Sequence, residues 1–209
     1  MTRADVRRED GVTMIEVVVS LTLMAVLMTI FTTAVVQVYR NVNQTEAIST
    51  AQANLNTVFL RLDKEVRYAS GISEPTTGAP WYVEYLNTSR GTEVCTQLRL
   101  TSDGLFQRRT WNRNEAPIHP SGWTVLASGI KQAPDGPDDD NDPEPPFTFV
   151  PADPAHAAST GSNFHQLVVT LAADGPNRKP AAQSTFTFAA LNTSQATTST
   201  DVCVEGRAF

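Results

Sequence analysis

From Val12 to Val36 the chain reads VTMIEVVVSLTLMAVLMTIFTTAVV, 25 residues among which Glu16 alone carries charge. The run exceeds the roughly 20 residues that an α-helix needs to cross a bilayer. It has no polar face; Ser and Thr hydroxyls are its sole relief after Glu16, and a helix can satisfy those against its own carbonyls. Further on the pattern changes. Ala51, Leu55, Val58, Leu62, Val66 and Ala69 recur at the three- and four-residue spacing of an amphipathic helix, while Arg61, Asp63, Lys64, Glu65 and Arg67 fall largely off that face. Ser70-Gly71 supplies a stop signal. No proline interrupts residues 12 to 74, so one unbroken helix is expected from about residue 13 to 69.

After Gly71 the apolar positions shorten into stretches rich in aromatic and β-branched residues. Strands are expected at 81–86, 94–101, 105–111, 123–126, 147–150, 164–172 and 185–191. Asp103-Gly104 reads as a type I′ hairpin turn, whose two central positions both need positive φ. The fold class is therefore α+β, with a long N-terminal helix packed on a mostly antiparallel sheet. Between Pro134 and Ala155 lie seven prolines and seven acidic residues, a composition that cannot bury a core and reads as an exposed loop. Ser194 to Asp201 also reads as loop.

Charge and cysteine content narrow the chemistry. A formal net charge of −6 argues against general binding of a phosphate backbone, so a nucleic-acid partner is not expected. Cys95 and Cys203 stand too far apart for a CxxC redox or zinc signal. In an oxidising compartment they would form a disulfide contributing roughly 2–5 kcal/mol; the alternative is two buried free thiols. His119, His156 and His165 show no metal-pair spacing and read as surface or satisfied histidines. No GxSxG, Walker A, GxGxxG or HExxH string is present, and no enzymatic activity and no cofactor are expected. Asp138, Asp139, Asp140 and Asp142 offer clustered oxygen ligands that would suit calcium, but they lack the Gly and the terminal Glu of an EF-hand; a solvated acidic loop is the plainer reading.

The N-terminus carries the most information. A cleavable secretory signal also begins with basic residues, here Arg3, Arg7 and Arg8, but its apolar core runs about 7–15 residues and ends at small residues, and Thr32-Thr33-Ala34 is a poor processing site. The arginines favour an N-terminus on the cytoplasmic side. Glu16 costs roughly 2.5–3.5 kcal/mol at the centre of a bilayer and needs a partner. A cut after Gly11 would create one: the new amine on Val12 lies four residues, one helical turn, from Glu16.

Gly11-Val12-Thr13-Met14-Ile15-Glu16 resembles the type IV prepilin processing site, a Gly, four mostly apolar residues and a Glu. The resemblance implies a leader at residues 1–11, cleavage of Gly11–Val12 by a prepilin peptidase, N-methylation of Val12, and pairing of Glu16 with the Val12 amine of a neighbouring subunit. Val12 stands where Phe is commonest, and the helix-kinking proline of many major pilins is missing. Residues 12–36 would form the transmembrane or filament-core helix, 37–70 an amphipathic stem, and 71–209 an extracytoplasmic head carrying the acidic loop 134–155. The string from Leu62 to Ile72, with Leu98-Arg99-Leu100, Gly104 to Arg109 and Trp123 to Leu126, looks like the J-type or PilW-like minor pseudopilins, which help start assembly at a filament tip. Implied partners are other pilin subunits, the peptidase and an inner-membrane assembly platform. The implied location is the cytoplasmic membrane before assembly, and a surface or periplasmic filament after it. The competing expectation is a membrane-anchored tip adhesin binding through the acidic loop and exposed Trp81 or Trp123.

Overall fold

The computed structural model describes residues 13–89, 91–134, 143–153, 162–174 and 180–209. Gly11, Val12, the acidic cluster Asp138, Asp139, Asp140 and Asp142, and His156 lie outside the described residues. The chain divides into two units, Met1–Thr45 and Glu46–Phe209. Helix α1, Met14–Arg67, is one α-helix of 54 residues, as the missing proline predicts. In the first unit its large apolar side chains stand exposed, from Met14 and Ile15 through Phe31 to Val42. Thr22, Thr29 and Thr33 turn their hydroxyls back onto the carbonyls of Val19, Ala25 and Thr29, each at 2.8 Å. Those bonds satisfy three hydroxyl donors that would be costly to leave unpaired in hydrocarbon.

The second unit is built on the last turns of α1. Leu55, Val58, Phe59, Leu62 and Val66 are buried there, the face anticipated from the sequence with Phe59 added. They pack into a core with Val83, Tyr85, Leu98, Phe106, Leu167, Val169, Leu171 and Phe188. Phe59 stacks on Phe186 with ring centroids 3.5 Å apart. Two sheets supply these partners. The first runs β1 (Ala69–Ile72), β2 (Trp81–Ser89), β3 (Thr92–Leu100), β4 (Leu105–Asn112) and β5 (Thr124–Ser128) in sequence order, each strand antiparallel to the next. In the second, β8 (His165–Asp174) pairs antiparallel with β9 (Pro180–Ala190) along its length. It also pairs with β6 (Ile130–Gln132) at residues 171–173 and with β7 (Phe147–Val150) at residues 166–169. Because β9 takes one edge of β8, β6 and β7 share the other, end to end.

The structure departs from the sequence expectation in four places. The helix stops at Arg67, and Ala69 is buried in strand β1, paired with Asn87 of β2, rather than on the helix. Strand β6 was not anticipated; three residues are too few to show a period. Residues 134–155 are not exposed throughout: the strand expected at 147–150 forms and pairs with β8, and Phe147 and Ala152 are buried. The β3–β4 turn is not type I′. Gly104 has φ 81° while Asp103 is not among the positive-φ residues, and the Gly104 amide bonds to the Thr101 carbonyl at 3.0 Å. This is the three-residue loop in which an ordinary turn is followed by one left-handed glycine.

Two glycines steer the chain between sheets. Gly129, with φ 68°, lies between β5 and β6, where the strand leaves the first sheet for the second. The Ile130 amide then bonds to the Gly104 carbonyl at 3.1 Å. A Cβ on Gly104 would sit 2.9 Å from the Ile130 carbonyl oxygen as well as in a disfavoured conformation. Gly104→Ala is therefore expected to destabilise the second unit by about 1–3 kcal/mol, read as a lower urea midpoint of tryptophan fluorescence in detergent micelles; an unchanged midpoint would contradict this role.

Candidate functional site

Three groups of residues carry chemistry beyond packing. The first opens α1. The amides of Glu16 and Val17 bond to the Thr13 carbonyl at 3.0 and 3.2 Å, which places Thr13 at the helix start and Glu16 in the first turn. A carboxylate there faces the positive end of the helix dipole, a favourable position even before any counter-ion arrives. The run that follows is long and apolar enough to cross a membrane, and none of it is buried among the described residues.

The second group sits inside the Glu46–Phe209 unit, between helix and sheet. Glu65 Oε2 accepts hydrogen bonds from the Tyr85 hydroxyl at 2.6 Å and from Arg108 Nε at 3.1 Å, while Oε1 accepts from Arg61 Nε at 3.0 Å. Burial by itself would raise the Glu65 pKa, but the hydrogen bonds from Tyr85 and Arg61 and the charges of Arg108 and Arg61 outweigh it and leave the carboxyl below its usual range. Tyr85, fully buried, is pushed well above the ordinary phenol range, first by burial and then by the adjacent Glu65 charge. On the helical wheel Glu65 falls off the apolar face, so sequence periodicity alone assigns it to solvent.

The third group lies on the opposite side of the first sheet. Alternation along β2 puts Val83 and Tyr85 into the helix-facing core and Glu84 on the other face, where it has no exposure. Its carboxylate receives Ser73 Oγ and Gln97 Nε2, both at 2.6 Å, and Arg207 Nη2 at 2.6 Å with Nε at 3.0 Å. Gln97 Oε1 in turn accepts from Arg109 Nε at 2.7 Å, and Arg109 Nη2 donates to the Gly206 carbonyl at 2.6 Å. Arg207 and Gly206 belong to a closing 3₁₀ turn, Val204–Ala208. Cys203 enters this turn in a left-handed conformation, φ 60°. It is joined to Cys95 by a disulfide with Cα atoms 5.7 Å apart. Leu86, Cys95, Trp111, Val202 and Cys203 form a small second core beneath it. Gly206 lies against the indole of Trp111, where a Cβ would meet the ring at 2.3 Å. The C-terminal segment thus covers the sheet face that the helix does not.

Other residues singled out from the sequence fall as follows. His165 is buried rather than at the surface, against the Phe149 ring at 5.0 Å, and burial lowers its pKa. Trp81 is half-buried against the core, and Trp123 is half-buried over the guanidinium groups of Arg99 and Arg109 at 3.8 and 4.3 Å. Neither is a free aromatic on the surface. Cys95, Cys203 and Glu205 bring ligand-type atoms within 4.8 Å of one another, but the two sulfurs are bonded to each other and offer no thiolate for a metal.

Compared with known proteins, residues 6–32 match the family described as Prokaryotic N-terminal methylation motif. No curated protein and no solved structure matches the chain. The match covers the apolar start of α1, including Glu16, and it supports a type IV pilin-like precursor that is processed by prepilin peptidase and anchored through its apolar helix.

Two outcomes test the head's polar groups. Arg207→Met leaves the Glu84 carboxylate buried without its cation and is expected to cost about 3–5 kcal/mol; adding Glu84→Gln should recover part of that loss in urea unfolding. Glu65 has a depressed folded pKa, so its stabilisation is complete above the ordinary carboxyl value of 4.5 and is lost as pH falls through the folded value. The stability gap between wild type and Glu65→Gln should therefore be constant near neutrality and narrow below about pH 4.5, and a gap independent of pH would contradict the assignment.

Proposed function

We propose that this chain is a minor pilin or pseudopilin, a structural or assembly-initiating subunit of a type IV pilus, competence pilus or type II secretion pseudopilus. The observation that carries the reading is the coincidence of the methylation motif at residues 6–32 with an unbroken helix whose apolar surface in the first unit is left uncovered by the described residues. Such a surface is stable in lipid or against other apolar helices, and not in water. In this account the peptidase cuts the Gly11–Val12 bond and Val12 is then methylated. The charged amine of one subunit meets Glu16 of its neighbour as the helix leaves the membrane for the filament. Pairing inside a low-dielectric helix bundle selects the correct axial register, because an unpaired carboxylate there is costly.

The head's role in this proposal is to present a stable surface at the filament, and no catalytic step is assigned to it. The resemblance to J-type or PilW-like pseudopilins supports a position at the filament tip. The binding alternative, a tip adhesin, differs in what deletion does: removing residues 134–155 would spare filaments but abolish attachment.

The test is incorporation. Glu16→Ala is expected to accumulate in membranes like wild type, yet to fall at least about tenfold in the sheared-filament fraction, since losing a pairing of about 1.4 kcal/mol gives that factor. Equal incorporation of the variant would overturn the assembly role of Glu16.

A further inference from the structure

A cleft of about 480 Å³ opens on the second unit where α1, β2 and β9 end. Its walls are Lys64 and Glu65 of α1, Tyr68 just beyond it, Asn87, Thr88 and Ser89 at the end of β2, and Asn192 just past β9. The volume falls within the roughly 300–1,000 Å³ of small-molecule clefts. Nothing in filament assembly as proposed above uses these residues.

The lining is specific in kind. Tyr68 presents one ring, 65% exposed, at the rim. Around it stand two amides and two hydroxyls, the complement that matches the alternating hydroxyls and apolar ring faces of a sugar. Two walls are tied to each other and a third to β1: Asn192 Nδ2 bonds to the Tyr68 carbonyl at 3.0 Å, and Ser70 Oγ lies 3.2 Å from Thr88 Oγ1.

Charge narrows the class. Glu65 is already committed to Tyr85, Arg61 and Arg108, so its carboxylate is neutralised from behind. Lys64 has no carboxylate partner among the described residues; the neighbouring pair is Asp63 with Arg67 at 2.7 Å. Among the described residues the cleft therefore offers one uncommitted positive charge. We infer that the cleft binds an acidic saccharide of the uronic-acid class, with the sugar face on Tyr68, hydroxyls on Asn87, Thr88, Ser89 and Asn192, and the carboxylate on Lys64. Binding here is separate from assembly, which depends on the N-terminal segment, so either can fail alone.

The test uses the full chain in phosphocholine micelles, which carry no sugar headgroup, titrated with digalacturonic acid and, separately, with neutral cellobiose. The expected result is saturable shifts of the Asn87, Thr88, Ser89 and Asn192 amides with digalacturonic acid and weaker ones with cellobiose. Tyr68→Ala should weaken binding on the order of tenfold, and Lys64→Gln should abolish the preference for the acid. Both side chains are exposed, and an unchanged thermal midpoint will show that each variant folds. No saturable shift, equal binding of the two disaccharides, or shifts confined to other residues would overturn the inference.

Discussion

Everything else in this chain depends on an apolar helical surface that has no cover of its own. Between Met14 and Val42 the side chains of α1 are exposed and overwhelmingly hydrocarbon, and the hydrophobic effect makes that arrangement untenable in water. The helix itself is sound, because Thr22, Thr29 and Thr33 satisfy their hydroxyls internally and no proline breaks its hydrogen bonds. The missing cover must come from lipid or from like helices. A lone carboxylate at the start of such a surface makes the choice of neighbour selective, since it is stable only where a positive charge meets it.

The second unit solves a different problem, that of a sheet with two faces to cover. Helix residues Leu55, Phe59, Leu62 and Val66 cover one, and the C-terminal turn, tied down by Cys95–Cys203 and by Arg207 on Glu84, covers the other. The second covering is largely polar. A buried carboxylate with a single cation is costly to leave unpaired and adds little over a hydrophobic equivalent, so its value lies in fixing where the C-terminal segment docks. The disulfide acts on the same segment by limiting the unfolded chain.

Legibility in the sequence followed the range of the interactions. The unbroken helix, its buried face, most strands and the processing motif with Glu16 are local patterns, and each could be read from spacing. Strand β6 and the turn at Gly104 were missed or misjudged, because three residues show no period and because a glycine alone does not reveal whether its neighbour is also left-handed. The spacing of Ala69 continues the apolar face and so assigns it to the helix, yet α1 ends two residues earlier, at Arg67, and Ala69 is buried in β1, paired with Asn87. The Glu84–Arg207 pair joins residues 123 positions apart; a Glu between Val83 and Tyr85 hinted that one face of β2 is polar, but nothing marked its partner. Glu65 was hidden in another way, since the wheel placed it outside while Tyr85 and Arg108 of the sheet reach it from the side.

The central claim is that processing frees the Val12 amine at the start of this apolar helix, which is then used for assembly. It is tested most directly by the mass and N-terminal sequence of the protein recovered from membranes of a host with and without its prepilin peptidase. The account predicts a mature chain beginning at Val12, heavier by one methyl group, that appears when the peptidase is present and not otherwise. A chain left intact in both hosts, or cut beyond Val36, would contradict it.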